Sequence, residues 1–355
     1  MVHILFIWLM LVSCIPLKAS PQTEAEAEEI NIKEVIFDHI GDSYEWHLAT
    51  IGEKHVSIPL PIIVYSGRSG WNIFSSSRLH HGNTYNGFYI AHEGKYKGKV
   101  VETMSGGIEE RPFDISLTKT AVGLIINSLL LVAIIMYVSR WYRQKQVHDH
   151  APRGFVGIIE MLVSMVYDDI IKPCLGEESK RYSPYLLTAF FFIFISNLMG
   201  LIPIFPGGAN VTGNIAVTLT LAVCTFIAVN VFGTREYWKE ILWPDVPTWM
   251  KCPLPLMPVI EIFGIFTKPF ALTVRLLANI MAGHSVILAL VCIIFLTHSM
   301  GSLINGSMTV VSLLFSIFMN FLELLVAFIQ AYVFTMLSAV FIGMSRVKGH
   351  HHKAP

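Results

Sequence analysis

The chain has 355 residues, 54% hydrophobic and only 14% charged, with 25 basic and 25 acidic side chains and a formal net charge of zero. With a mean hydropathy of +0.58, that composition belongs to an integral membrane protein and excludes a soluble globule. No basic footprint for nucleic acid is present, and the position of each charge matters more than the sum.

In chain order, residues 1–20 read as a signal peptide. An apolar core over Ile4–Val12 is followed by Pro16 and a small-residue exit at Ala19-Ser20. The stretch ahead of it carries His3 and no Lys or Arg, and Leu11-Val12-Ser13-Cys14 has the form of a lipoprotein cleavage box. Cleavage near Ser20 and lipidation at Cys14 therefore both stay open. Residues 21–115 are polar and mixed in sign, opening on Glu24, Glu26, Glu28 and Glu29. Short β-type runs at Val56–Tyr65 and Gly87–Ala91 are separated by turn signals at Ser66-Gly67, Ser69-Gly70, His81-Gly82-Asn83 and Glu93-Gly94. They predict a small β-rich exported domain. None of the five cysteines (Cys14, Cys174, Cys224, Cys252, Cys292) lies there, so it has no disulfide of its own. Its histidines, His39, His47, His55, His80, His81 and His92, have neither helical i,i+4 nor finger-type spacing, so no metal site is expected.

Residues 116–355 predict an all-α polytopic membrane domain of about five transmembrane helices plus one interfacial helix. Ala121–Val138 is apolar but for Gly123, Asn127 and Ser128, and Arg140, Arg143 and Lys145 follow as a cytoplasmic exit. Gly154–Ile171 is amphipathic, with Phe155, Ile158, Ile159, Leu162, Val163 and Val166 apolar and Asp168-Asp169 at its end, and reads as the interfacial helix. Spans at Tyr185–Ile204 and Ile215–Phe232 flank a loop, Pro206–Asn214, without Lys or Arg. The loop after them carries Arg235, Lys239 and Lys251. Two long apolar segments follow, Val259–Thr297 and Met308–Ser345, and the tail carries Arg346, Lys348 and Lys353. If residues 21–115 are exported, every short basic segment falls on one side, which puts the C-terminus in the cytoplasm. Each of the last two segments measures about 57 Å as helix, against a hydrocarbon core of about 30 Å. Each is either a broken pair of spans, with Lys268-Pro269 as the break in the first, or one long tilted helix.

The most informative residue is Arg275, deep inside the first of those segments. A guanidinium cannot shed its proton there, and insertion at a helix centre costs roughly 2.5–3.5 kcal/mol. Glu261, Lys268 and Arg275 are spaced by seven and share one stripe, which Asn279 and Ala282 continue. Glu323 and Gln330 repeat that spacing in the last segment, with Ala327 between them, and His284 faces away from Arg275. Histidine and glutamate exchange protons once burial shifts them, whereas arginine acts as a fixed charge. One explanation is a proton path. The other is buried pairing, of Arg275 with Glu261 or Glu323, that only ties helices together. A self-contained channel or transporter lacks visible internal repeats, and a membrane-anchored sensor built on the exported domain leaves Arg275 unexplained.

Thr267–His284, with Lys268-Pro269, Arg275, Asn279 and Gly283-His284, resembles the signature of subunit a of F-type ATP synthases. Phe321–Thr335, with Glu323, Ala327 and Gln330, resembles that family's last-helix motif. Asn210-Val211-Thr212 and the apolar run after Asn214 resemble its earlier span, so the likeness covers about Leu117 to Arg346. The resemblance implies a stator in the bacterial plasma membrane, beside a rotating ring of c subunits, with peripheral-stalk b subunits and the rest of the complex as partners. It implies two offset half-channels, with Arg275 facing the ring carboxylate and Gln330 opposite it. Glu323, His284 and Asn279 would line the outer half-channel, and Glu261 and Lys268 the cytoplasmic one. It favours single long helices for the last two segments. No cofactor and no catalytic residue are implied, and with no glycine-rich phosphate loop the nucleotide chemistry falls to partner subunits. Residues 21–115 are extra to the family core, and a plain β domain covering the outer channel mouth or a partner is expected. For His350–His352, a charged cytoplasmic tail is expected rather than a ligand set.

Overall fold

A period of two, which sends alternate side chains to opposite faces of a strand, organises the N-terminal part of the computed structural model. The structure describes residues 41–51, 54–91, 94–103, 109–144, 152–202, 206–242, 256–297 and 301–346. The signal peptide with Cys14, the acidic leader, His39, His92, Cys252 and His350–His352 lie outside the described residues. β1 (Glu45–Ile51) pairs antiparallel with β2 (Lys54–Pro59). β3 (Pro61–Ser66) lies between β4 (Gly70–Ser75) and β8 (Phe113–Asp114). β5 (Phe88–Ile90), β6 (Val100–Thr103) and β7 (Glu109–Glu110) form a third antiparallel sheet. Ile62, Val64, Phe74, Leu79, Phe88 and Val100 meet in one core, with Tyr44 among them. The long run read at Val56–Tyr65 is two strands parted at Leu60, and the Ser66–Gly70 signals do turn the β3–β4 hairpin, with Gly70 at φ 69°.

The N-terminal β part is tied to the helices at their start. The Lys119 and Thr120 N–H groups donate to the Ser43 carbonyl (2.8 Å) and Asp42 Oδ1 (3.0 Å). Both amides belong to the first turn of α1 (Lys119–Gln144), which has no partner for them of its own. α2 (Phe155–Val166) runs through a π-helical turn (Tyr167–Ile171) into α3 (Lys172–Leu175). Gly176, at φ 52°, turns the chain through one 3-10 turn into α4 (Ser179–Leu201). The stripe read as interfacial splits: Leu162 and Val166 enter the core, while Phe155 and Ile158 face outward. The helical path Phe155–Leu201 as a whole is long and apolar enough to cross a membrane.

α5 (Ile215–Asn230) is short, and its N-cap is Asn214, whose side chain accepts from the Ala216 N–H at 2.9 Å. The basic loop expected after it contains a helix, α6 (Arg235–Leu242), because Tyr237 and Ile241 sit one turn apart and bury together. α7 (Leu256–Leu296) and α8 (Ser302–Met344) have 41 and 43 residues. Pro269 lies inside α7 without ending it, so each long segment is one helix and not a broken pair of spans. The Thr297 hydroxyl donates to Asn305 Oδ1 at 3.1 Å across the link between them. Among the described residues, four helical stretches have the length and composition of membrane spans and α5 is a fifth, shorter apolar helix. Their common core runs through α4, from Tyr182 to Met199, against Leu272 and Leu276 of α7 and Ala331, Phe334, Ala339 and Ile342 of α8.

Candidate functional site

α7 has two unlike faces, and the polar stripe lies on the outer one. Ile265, Leu272, Thr273 and Leu276 are buried, while Glu261, Arg275, Asn279 and Ala282 are exposed and Lys268 is half-buried. The apolar residues take the core, so the stripe turns out of the bundle and not into it. Among the described residues the Arg275 guanidinium has no ion-pair partner. Glu323, one acid that a pairing role would offer it, faces His284 instead, Oε1 to Nδ1 at 2.6 Å.

The His284–Glu323 pair joins α7 to α8. Gly283 makes the approach possible, since a Cβ at that position would stand 2.9 Å from Glu323 Oε1. The pair borders a cleft of about 320 Å³ whose polar lining includes Ser196, Asn197, Asn210 and Thr212, with Asn279 and Gln330 also on its wall. Two buried atoms on this cleft, Glu323 Oε2 and Asn210 Nδ2, lack a hydrogen-bond partner among the described residues. Buried polar groups are nearly always paired, so these two atoms single out the polar part of the cleft.

Beneath the pair, a chain of hydrogen bonds crosses three helices. The Thr212 hydroxyl donates to Asn197 Oδ1 (2.6 Å), and Asn197 Nδ2 donates to Gln330 Oε1 (3.2 Å) and the Ala327 carbonyl (3.3 Å). Gln330 Nε2 then donates to the Arg275 (3.1 Å) and Leu276 (3.2 Å) carbonyls. A carbonyl has two lone pairs, so it accepts this bond beside its own helical one. The contact is with the backbone at Arg275. It fixes the register of α8 on α7 and leaves the guanidinium free to point outward.

Glu261 and Lys268 do not join that cleft. Lys268 Nζ lies 5.3 Å from the centre of the Phe341 ring and borders a second cleft of about 260 Å³, with Thr225, Asn230 and Tyr237. Burial first, and then the Glu261 carboxylate, push the Tyr237 phenol above its ordinary range. Along α7, Lys268 and His284 flank Arg275 at about 10 and 14 Å by helical rise. The buried Leu272, on the wall of the Lys268 cleft, and the buried Leu276 follow one another along α7 between Lys268 and Asn279.

The pattern of charges in the sequence located α7 and α8 but not α4. Asn197 and Ser196 are polar residues inside an apolar span, and a bilayer-buried amide is costly unless bonded. That signal, which the sequence reading did not use, would have singled out Asn197, and also Asn127, whose Nδ2 donates to Ser196 Oγ at 3.3 Å.

Residues 124–343 match the family described as ATP synthase A chain, and residues 35–115 match a domain of unknown function (DUF8433). The chain is 43% identical over 253 residues to ATP synthase subunit a of Myxococcus xanthus, covering 69% of this chain and 78% of that one. It is 42% identical over 250 residues to ATP synthase subunit a 2 of Chlorobaculum tepidum, covering 69% and 67%. A third relative, ATP synthase subunit a of Chloroherpeton thalassium, is 40% identical over 250 residues, covering 69% and 71%.

Proposed function

The chain belongs to the ATP synthase A chain family, and on that premise we propose that it is the proton-carrying stator beside a rotating ring of c subunits. It serves ATP synthesis in a bacterial plasma membrane, held by peripheral-stalk b subunits, with residues 21–115 outside and the C-terminus in the cytoplasm. The observation that carries this reading is the exposed guanidinium of Arg275, without an acidic partner among the described residues. A fixed charge inside the bilayer is expensive, so its partner belongs to another subunit, and the ring carboxylate meets that need. Arg275 draws the ionised carboxylate and blocks a direct leak.

The two clefts support two offset half-channels. On the outer side, His284 and Glu323 exchange the proton, with Asn279 at the rim and Asn210 and Thr212 on the wall. On the cytoplasmic side Glu261 and Lys268 flank the exit. Gln330 keeps the backbone at Arg275 in register, and Leu272 and Leu276 keep the two paths apart. The chain performs no nucleotide chemistry and takes no cofactor in this scheme.

ATP-driven acidification of inverted membrane vesicles tests the assignment. With the complex assembled at wild-type levels, Arg275→Ala and Glu323→Gln each abolish pumping. Wild-type pumping in either variant overturns the role given to that residue.

A further inference from the structure

We propose that the exported β domain is a brace for the outer channel mouth, and that Trp46 is the positioning residue through which it acts. The inference rests on the proton-path reading of the His284–Glu323 cleft and assigns a task to residues 35–115, whose family has none. Trp46 lies in β1 and is only 2% exposed, yet it stands apart from the β domain's own core. It packs instead with Ala209 and Val211 of the loop between α4 and α5, flanked by Ile58, Val122, Leu124, Ile126 and Val217. An exported domain thus spends its most buried tryptophan on the membrane domain.

The loop it touches is the one that furnishes the cleft. Ala209 and Val211 alternate with Asn210 and Thr212. The loop is tightly turned, with the Val211 N–H donating to the Ala209 carbonyl at 2.9 Å, and one pair meets Trp46 and α1 while the other lines the cleft. Thr212 heads the hydrogen-bond chain that ends on the carbonyls of Arg275 and Leu276, and Asn210 Oδ1 accepts from the Gly213 N–H at 2.9 Å. The far side of the loop rests on α1 where α1 has no side chain: a Cβ on Gly123 would stand 2.6 Å from Ala209 Cβ and 4.0 Å from Trp46 Cη2. The loop is therefore clamped between Gly123 and Trp46. Packed interiors transmit displacement because they have little free volume. Loosening the clamp moves Asn210 and Thr212 away from Glu323 and Asn197.

The test uses the assembled complex in inverted vesicles, with ATP-driven acidification as the readout. Trp46→Ala is expected to lower pumping about tenfold, while Trp46→Phe, which keeps a ring in the clamp, restores most of it. Trp71→Ala, on the exposed face of β4, leaves pumping unchanged. In right-side-out vesicles of a Thr212→Cys background with the native cysteines replaced by serine, Trp46→Ala assembled at wild-type levels also raises the rate of labelling by a membrane-impermeant maleimide several-fold. If Trp46→Ala fails to assemble, Gly123→Ala displaces the same loop from the α1 side and is expected to lower pumping to a similar degree. Wild-type pumping in Trp46→Ala, or in Gly123→Ala, overturns the brace. Glu323→Gln, measured alongside, separates the two failures: if it pumps normally the proton-path reading falls, whatever Trp46 does.

Discussion

At the scale of single residues, the site depends on two side chains that touch no proton and on one missing side chain. Gly283 is the missing one. Adding a methyl group there drives against Glu323 Oε1, 2.9 Å away, and pushes the carboxylate off His284. Gly283→Ala is expected to cut pumping on the order of tenfold to hundredfold, the usual penalty for misplacing a reacting group by about 1 Å. Gln330 and Asn197 are the two quiet side chains. Gln330→Leu removes hydrogen bonds to Asn197 and to two carbonyls that keep their helical bonds, and each such bond is worth about 0.5–1.5 kcal/mol. Thermal unfolding of the detergent-solubilised protein reads that loss directly. Arg275, His284, Glu323 and Gln330 were legible in the sequence because a charge or amide stands out against leucine and phenylalanine. Asn210, Asn197 and Thr212 were harder to place: Asn197 meets Ala327, 130 positions along the chain, Asn210 and Thr212 share a cleft that α7 and α8 complete, and spacing carries no such information.

At the scale of elements, capping and ionisation give two clean expectations. Asn214→Ala removes the side-chain acceptor at the start of α5 and should cost about 1 kcal/mol of stability, again measured by thermal unfolding. Burial, and then the hydrogen bond to Asp114, hold the Tyr44 phenol above its ordinary value of 10.0. The folded protein keeps a proton that the unfolded chain gives up, so this contribution is whole below pH 10 and drains away as the pH rises past it. Tyr44→Phe removes a bond to a charged group, costing about 1.5–3 kcal/mol near neutrality, and flattens that alkaline decline in unfolding followed across pH. The spans of α1 and α4 were legible but one end of each was not, since α1 runs on past Val138 to Gln144 and α4 begins at Ser179, ahead of Tyr185. Pro269 was the ambiguous signal, since its ring forfeits one backbone bond but the apolar helix on both sides carries the path through. α6 was hidden by its charges, because Arg235 and Lys239 describe its wet face and only Tyr237 and Ile241 its dry one.

At the scale of the whole molecule, a helix of 41 or 43 residues is about twice the length of the hydrocarbon core, so α7 and α8 must run obliquely or along it. Their outer faces, with Phe263, Phe270, Val274 and Arg275 exposed on α7, are surfaces for lipid and for another subunit. Purified alone into vesicles, the chain is expected to conduct no protons under a membrane potential, although each charge gains about 2.3 kcal/mol per 100 mV. Conduction by the isolated chain would point to a self-contained channel. The packing of α8 also governs how the protein is made. Chains are synthesised from the N-terminus, and α8 is the last of the described helices to emerge. Until it does, Asn197 lacks Gln330, the Ser338 hydroxyl is absent from Thr225, and the Thr234 amide waits for the Ser345 carbonyl. The earlier helices therefore sit in the bilayer as an unfinished assembly with open polar contacts until α8 closes them.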